Sequence, residues 1–185
     1  MDQRAQDETL NTAGGPPTKL DTFRGLYPLR GPREGTVRNE DELRQLTADE
    51  GLQEFDLPLG PKAAKSALPH AEPRGNTYLW VIAKDNIPAA LEAAEIGQRL
   101  QTGVIKHTNL TGGVAAHCGG EAWFLGDTSV IIGGSSGRYG PDRFDSQQLI
   151  DAAQVFKEQG YDVAVMGMDE TGFPATLLVG EPQWL

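Results

Sequence analysis

The residues of this chain that could do chemistry fall between positions 106 and 139: Lys106-His107-Thr108, then Glu121, then Ser136-Gly137-Arg138-Tyr139. Histidine titrates near neutral pH and can move a proton. Glu121 opens the run Ala122-Trp123-Phe124-Leu125, where strand alternation turns it inward or towards a cleft, and an inward carboxylate is costly unless it is paired. Arg138, with its fixed fork of donors, is the natural partner for that carboxylate or a clamp for phosphate. Tyr139 can stack on a base or pack into the core. If these groups converge, Glu121 and His107 supply a general acid and base, and Arg138 with Lys106 stabilises charge on a nonbridging oxygen. Thr108 and Ser136 add hydroxyls for substrate contact. That set suffices for metal-independent RNA cleavage through the 2′-hydroxyl. The competing reading is a buried Glu121–Arg138 ion pair that fixes strand register.

The same stretch resembles a known pattern. Lys106-His107-Thr108-Asn109-Leu110-Thr111-Gly112-Gly113, then Gly119-Gly120-Glu121, then Ser136-Gly137-Arg138-Tyr139 is similar to a His-Ser/Thr-x-Leu-x-Gly-Gly, Gly-Glu, Ser-Gly-His/Arg-Tyr string found in bacterial toxin-like and effector-like domains. A related string occurs in plant calmodulin-binding IQ-motif proteins, although no IQ helix is evident here. The order of elements resembles the barnase–EndoU–colicin–RelE superfamily of ribonuclease toxins. The resemblance implies an endoribonuclease without a cofactor, with His107, Glu121 and Arg138 catalytic, Lys106, Thr108, Ser136 and Tyr139 binding substrate, RNA or a nucleotide as ligand, and a cognate inhibitor protein as partner. Arg138 stands where some relatives of the pattern carry histidine, which speaks against a two-histidine mechanism.

Three other functions compete. A metal-dependent hydrolase could draw on His107, His117, Cys118 and Glu121, but adjacent strand residues such as His117 and Cys118 point to opposite faces and cannot easily share one ion. A transferase acting on a nucleotide such as NAD could use the glycine pairs for pyrophosphate, but no Gly-x-Gly-x-x-Gly follows a strand and opens a helix. A non-catalytic binding or interaction module accounts for the acidic balance and the loop content. The formal net charge is −10, and only the motif segment 99–143 escapes it, with four Lys+Arg against three Asp+Glu. Gripping duplex DNA needs a broad basic face, which this composition lacks.

The elements that must position these residues read as an α+β domain, an antiparallel-rich sheet flanked by two helices, over residues 74–185. Residues 77–83 (Thr-Tyr-Leu-Trp-Val-Ile-Ala) form an apolar run without alternation, predicting a central strand. Asp85 or Asn86 can cap a following helix over 87–100, with Pro88 in its first turn. Strands are expected at 104–106, 120–125 and 129–132, joined by glycine-rich turns. Asp145 caps a second helix over 146–159 with Gly160 as its stop, and strands at 162–168 and 175–179 follow. Ahead of this domain, residues 1–20 read as a disordered tail. Residues 21–73 form a loop-rich extension, with one short helix near 40–46 and a proline-rich linker.

Composition bounds the rest. An apolar content of 38% supports one ordinary core, and 23 glycines with 12 prolines imply long loops. Cys118 is the single cysteine, so stability must come from packing and not from an internal disulfide. No apolar run reaches the roughly 20 residues of a bilayer span, and the first residues lack a signal-peptide core. A cytoplasmic protein with no membrane partner is expected, with export by a dedicated secretion system left open.

Overall fold

A computed structural model describes residues 15–55, 77–125, 128–140, 146–166 and 182–185 of the chain. Thr18 caps the first helix, α1 (Lys19–Leu26): its hydroxyl accepts from the Asp21 N–H at 3.0 Å, and the Asp21 carboxylate accepts back from the Thr18 N–H at 3.2 Å. Two short 3-10 turns, Glu40–Leu43 and Ala48–Glu50, lead to strand β1 (Gln53–Glu54). Then come β2 (Tyr78–Ile82), β3 (Pro88–Leu91), a 3-10 turn at Glu95–Arg99, α2 (His107–Thr111), β4 (Cys118–Phe124) and β5 (Ser129–Gly133). The chain closes with α3 (Ser146–Glu158), β6 (Asp162–Val165) and β7 (Gln183–Trp184). The strands form one sheet in the order β1-β3-β2-β4-β5-β6-β7. Every pairing is antiparallel except β5 with β6, the two strands that α3 connects. The class is α+β.

The sheet is covered on both faces, and β2 is buried along its whole length, as its unbroken apolar run predicts. On one face Tyr78, Trp80, Ile82, Cys118, Ala122, Phe124, Val130 and Ile132 meet Leu149, Ala152, Ala153 and Phe156 of α3. Phe23 of α1 and Phe55 belong to this cluster, and the Phe55 ring lies edge-on to Phe156 at 4.7 Å. Residues 15–55 therefore help to build the core. On the other face Leu79, Val81 and Ala90 pack with Leu46, Ile105, Leu110, Ala116 and Tyr139. Each fully buried large aliphatic or aromatic side chain contributes about 1.5–3 kcal/mol relative to exposure.

Several expectations need correction. Residues 87–100 are not a helix. Ala83 donates its N–H to the Asn86 carbonyl at 3.0 Å, which turns the chain back, and β3 then pairs with β2 on one side and β1 on the other. Ile96 and Leu100, which give the segment its helical spacing, reach the second core cluster from a 3-10 turn and the residue after it. No strand forms at 104–106; Ile105 is fully buried and Lys106 leads directly into α2. The helix near 40–46 is a single 3-10 turn. In contrast, β4 and β5 lie where meander strands were expected, and α3 ends where Gly160, at φ +91°, permits the left-handed turn. The predicted cap Asp145, positions 167–168 of the strand beginning at 162, and the strand at 175–179 lie outside the described residues.

Candidate functional site

The motif is assembled on the face of the sheet that α2 covers. Helix α2 has five residues, too few to be stable alone, and is held by its neighbours. Asn109, fully buried, accepts the Lys106 N–H on Oδ1 at 2.7 Å. Its Nδ2 donates to the carbonyls of Asp41 at 2.8 Å and Arg44 at 2.9 Å. The Leu46 N–H donates to the Asn109 carbonyl at 2.9 Å. One asparagine thus ties α2 to the N-terminal segment.

His107 opens α2 and is 6% exposed, so it lies on a helix and not at a strand end. Its Nε2 lies 2.9 Å from the Gly120 carbonyl. A carbonyl can only accept, so Nε2 carries the hydrogen and Nδ1 the lone pair. Burial, with smaller contributions from the Arg138 and Lys106 charges, lowers its pKa from 6.5 to about 4, against the opposing pull of the Gly120 bond. The imidazole is neutral at neutral pH and a poor proton donor there.

Arg138 does not pair with Glu121. Its guanidinium takes Glu42, donating from Nε at 3.2 Å and again from Nη2 to the same carboxylate oxygen. Glu42 is 1% exposed and sits in the 3-10 turn that packs on α2, 96 residues from its partner. The expected ion pair exists with a different carboxylate, because the tertiary fold brings residues 40–43 beside the 133–140 loop. Glu121 is half-buried on β4, in register between Leu79 and Gly133, and its carbonyl accepts from Trp80 Nε1 at 2.8 Å.

The remaining predicted residues are structural in their contacts. Ser136 Oγ accepts the N–H groups of Arg138 at 3.3 Å and Tyr139 at 3.0 Å, shaping the loop. The Tyr139 ring is buried in the second core cluster, where stacking on a base would require it to leave. Its hydroxyl donates to the Val114 carbonyl at 2.8 Å and lies 2.9 Å from Thr111 Oγ1, and burial pushes its pKa up. Thr108 is fully buried, and its hydroxyl has no hydrogen-bond partner among the described residues. Lys106, His107 and Arg138 are thus brought within electrostatic reach of one another, with Glu121 next in chain to the Gly120 carbonyl that His107 holds.

His117 and Cys118, considered above as metal ligands, diverge. His117 donates Nδ1–H to the Tyr27 carbonyl at 2.6 Å, while Cys118 is buried in the first core cluster. His117 instead borders a small cleft that the sequence did not reveal, with Arg30, Arg33, Arg138, Gly140 and Gln148. The volume is about 80 Å³. The local signal for it was the string Arg30-Gly31-Pro32-Arg33 in a segment otherwise read as an extension. Among the described residues no group of three His, Cys, Asp or Glu side chains has the geometry to hold a metal ion, and no helix is long and apolar enough to cross a membrane. Comparison with family models, curated proteins and solved structures finds no match to this chain.

Proposed function

We propose that the domain binds a ligand without transforming it, and that the 107–139 motif is the frame of its binding surface. One observation carries this reading: His107 and Arg138, two of the three residues expected to do catalysis, are committed to internal partners, and so is Tyr139, expected to bind substrate. His107 Nε2 is engaged by Gly120, Arg138 by Glu42, and the Tyr139 hydroxyl by Val114 and Thr111. A general acid must give up its proton and return, and an imidazole with a pKa of about 4 holds almost none to give at neutral pH. A guanidinium that already neutralises a buried carboxylate has less charge to offer a transition state.

Metal-independent RNA cleavage is the second reading, favoured by the grouping of Lys106, His107 and Arg138. A cleavage assay on mixed cellular RNA with EDTA present separates the two. The binding reading expects no cleavage by folded wild-type protein. Chelation-resistant cleavage that disappears in folded His107→Ala and Glu121→Ala variants would overturn it in favour of a ribonuclease.

A further inference from the structure

Resting on the reading of the domain as a binder, we infer that the face formed by α2, the Gly112-Gly113 turn and Arg138 docks a short acidic segment of a partner protein, a place that residues 39–46 of the chain itself hold in this structure. Between Phe23 and Phe55 only Glu42 and Leu46 are buried. The rest of that long stretch is exposed or half-buried, and it meets α2 through one four-residue 3-10 turn and the residues beside it. Phe23 and Phe55 belong to the core cluster on the opposite face of the sheet, so residues 39–46 can lift while both ends of the stretch stay anchored. A segment held by so few buried apolar side chains is of the kind that opens locally.

The contacts that hold it are those by which proteins read peptides, main-chain hydrogen bonds together with a few side-chain anchors. Asn109 Nδ2 donates to the carbonyls of Asp41 and Arg44, and the Asn109 carbonyl accepts the Leu46 N–H at 2.9 Å. Arg138 takes the Glu42 carboxylate, and the Asp41 carboxylate accepts the Gln101 N–H at 3.0 Å. Leu46 joins the second core cluster as the apolar anchor. The glycine pair makes the close approach possible: a Cβ at Gly113 would stand 2.6 Å from Leu43 Cδ2, and one at Gly112 would stand 3.3 Å from Gln45 Cβ.

These contacts define the ligand. The face selects a carboxylate, a leucine four positions later, and an irregular main chain between them that offers two carbonyls and then an N–H. The partner segment therefore has the form Asp/Glu-x-x-x-Leu. A second copy's residues 39–46 are tethered at both ends to their own core, as here, whereas an unstructured segment of another protein meets no such restraint. The internal segment competes with it at an effective concentration of about 1 mM, so the partner gains access when that segment is weakened.

Fluorescence anisotropy tests the assignment with a labelled synthetic peptide spanning residues 38–48 as the probe. The full chain is used as wild type and as Glu42→Gln, each checked for folding by circular dichroism. The substitution weakens the internal competitor and leaves the docking face unaltered, so the variant should bind the peptide about tenfold more tightly than wild type. A peptide carrying Glu42→Gln and Leu46→Ala should bind the variant at least about tenfold more weakly than the native peptide. Hydrogen exchange of wild type, read by NMR, is the second measurement: the amides of Arg44 and Leu46 should exchange at least about a hundredfold faster than those of β2 and β4. Exchange no faster than that of β2 would mean that the segment opens only with the whole fold, and would overturn the site whether or not the variant folds. So would absence of peptide binding by the folded variant, or binding that the two peptide substitutions leave unchanged. A concentration-dependent dimer of wild type that Glu42→Gln abolishes would give the place to a second copy and overturn the partner assignment. Failure of the peptide without RNA cleavage removes the docking site alone, whereas chelation-resistant cleavage removes the binding reading whatever the peptide does.

Discussion

Acidification should destabilise this protein through one buried imidazole, and the size of the effect can be worked out beforehand. The pKa of His107 in the folded protein is about 4, against 6.5 for the ordinary side chain. Above 6.5 neither the folded nor the unfolded state holds the proton, and stability is complete. Between 6.5 and 4 the unfolded chain binds a proton that the folded state refuses, so stability falls by up to about 1.4 kcal/mol per pH unit. Below 4 both states are protonated and the loss levels off at about 3 kcal/mol, with about 2 kcal/mol already gone at pH ~5. That is a large part of the roughly 5–15 kcal/mol typical of a domain. Urea unfolding followed by tryptophan fluorescence, from pH ~7.5 to ~4.5, measures it in wild type and in His107→Gln. Glutamine can still donate to Gly120 and does not titrate, so the difference between the two curves cancels the carboxylates and His117. A difference that stays within about 0.5 kcal/mol across this range would refute the argument. So would an imidazole titration of His107 by NMR with a midpoint near its ordinary value. Either result would also restore His107 as a candidate acid at neutral pH.

The Arg138–Glu42 pair should behave as a buried pair. Arg138→Met alone strands a carboxylate that is 1% exposed and should cost about 3–5 kcal/mol, whereas Arg138→Met with Glu42→Leu should recover most of it. A double-mutant cycle from urea curves that returned a coupling below about 0.5 kcal/mol would mean that the pair holds nothing together. Gly120→Ala should be among the most damaging single substitutions in the sheet. Its Cβ would stand 2.0 Å from the Gly133 carbonyl oxygen and 2.6 Å from Trp80 Cζ2, both fixed by strand pairing and core packing. A loss above about 3 kcal/mol, or failure to fold, is expected in unfolding measurements. Gly137→Ala, which meets nothing within 4 Å, serves as the control and should change stability by no more than about 0.5 kcal/mol. Similar stabilities for the two variants would refute the packing argument.

How far the sequence could be read follows from how local each signal is. Strand β2 announces itself by an apolar run that needs no partner to be recognised, and α3 by apolar residues on one face with a glycine stop. Residues 87–100 mislead because Ile87, Leu91, Ile96 and Leu100 carry a helix-like spacing, while the deciding factor is non-local: two strands, β1 and β2, claim both edges of Pro88–Leu91. Helix α2 was unreadable for the opposite reason. His-Thr-Asn-Leu-Thr has weak helix propensity and no room for a period, and the turn exists because Asn109 is anchored to residues 41 and 44. The candidate site was legible as a cluster of residue types and not as a set of contacts.

By itself, then, the sequence determined the α+β class, the central strands, the long helix and the place along the chain where polar residues and glycines gather. Those features depend on side-chain periodicity and backbone freedom, which neighbouring residues settle among themselves. Only the tertiary structure decided which charges meet. Glu42 reaches Arg138 across 96 residues, the His107 proton is spent on a strand carbonyl, and Arg30 and Arg33 come from the N-terminal segment to line a cleft beside His117. Charge pairing and burial depend on distance in space, and distance in space is set by which strands pair and which helices cover them.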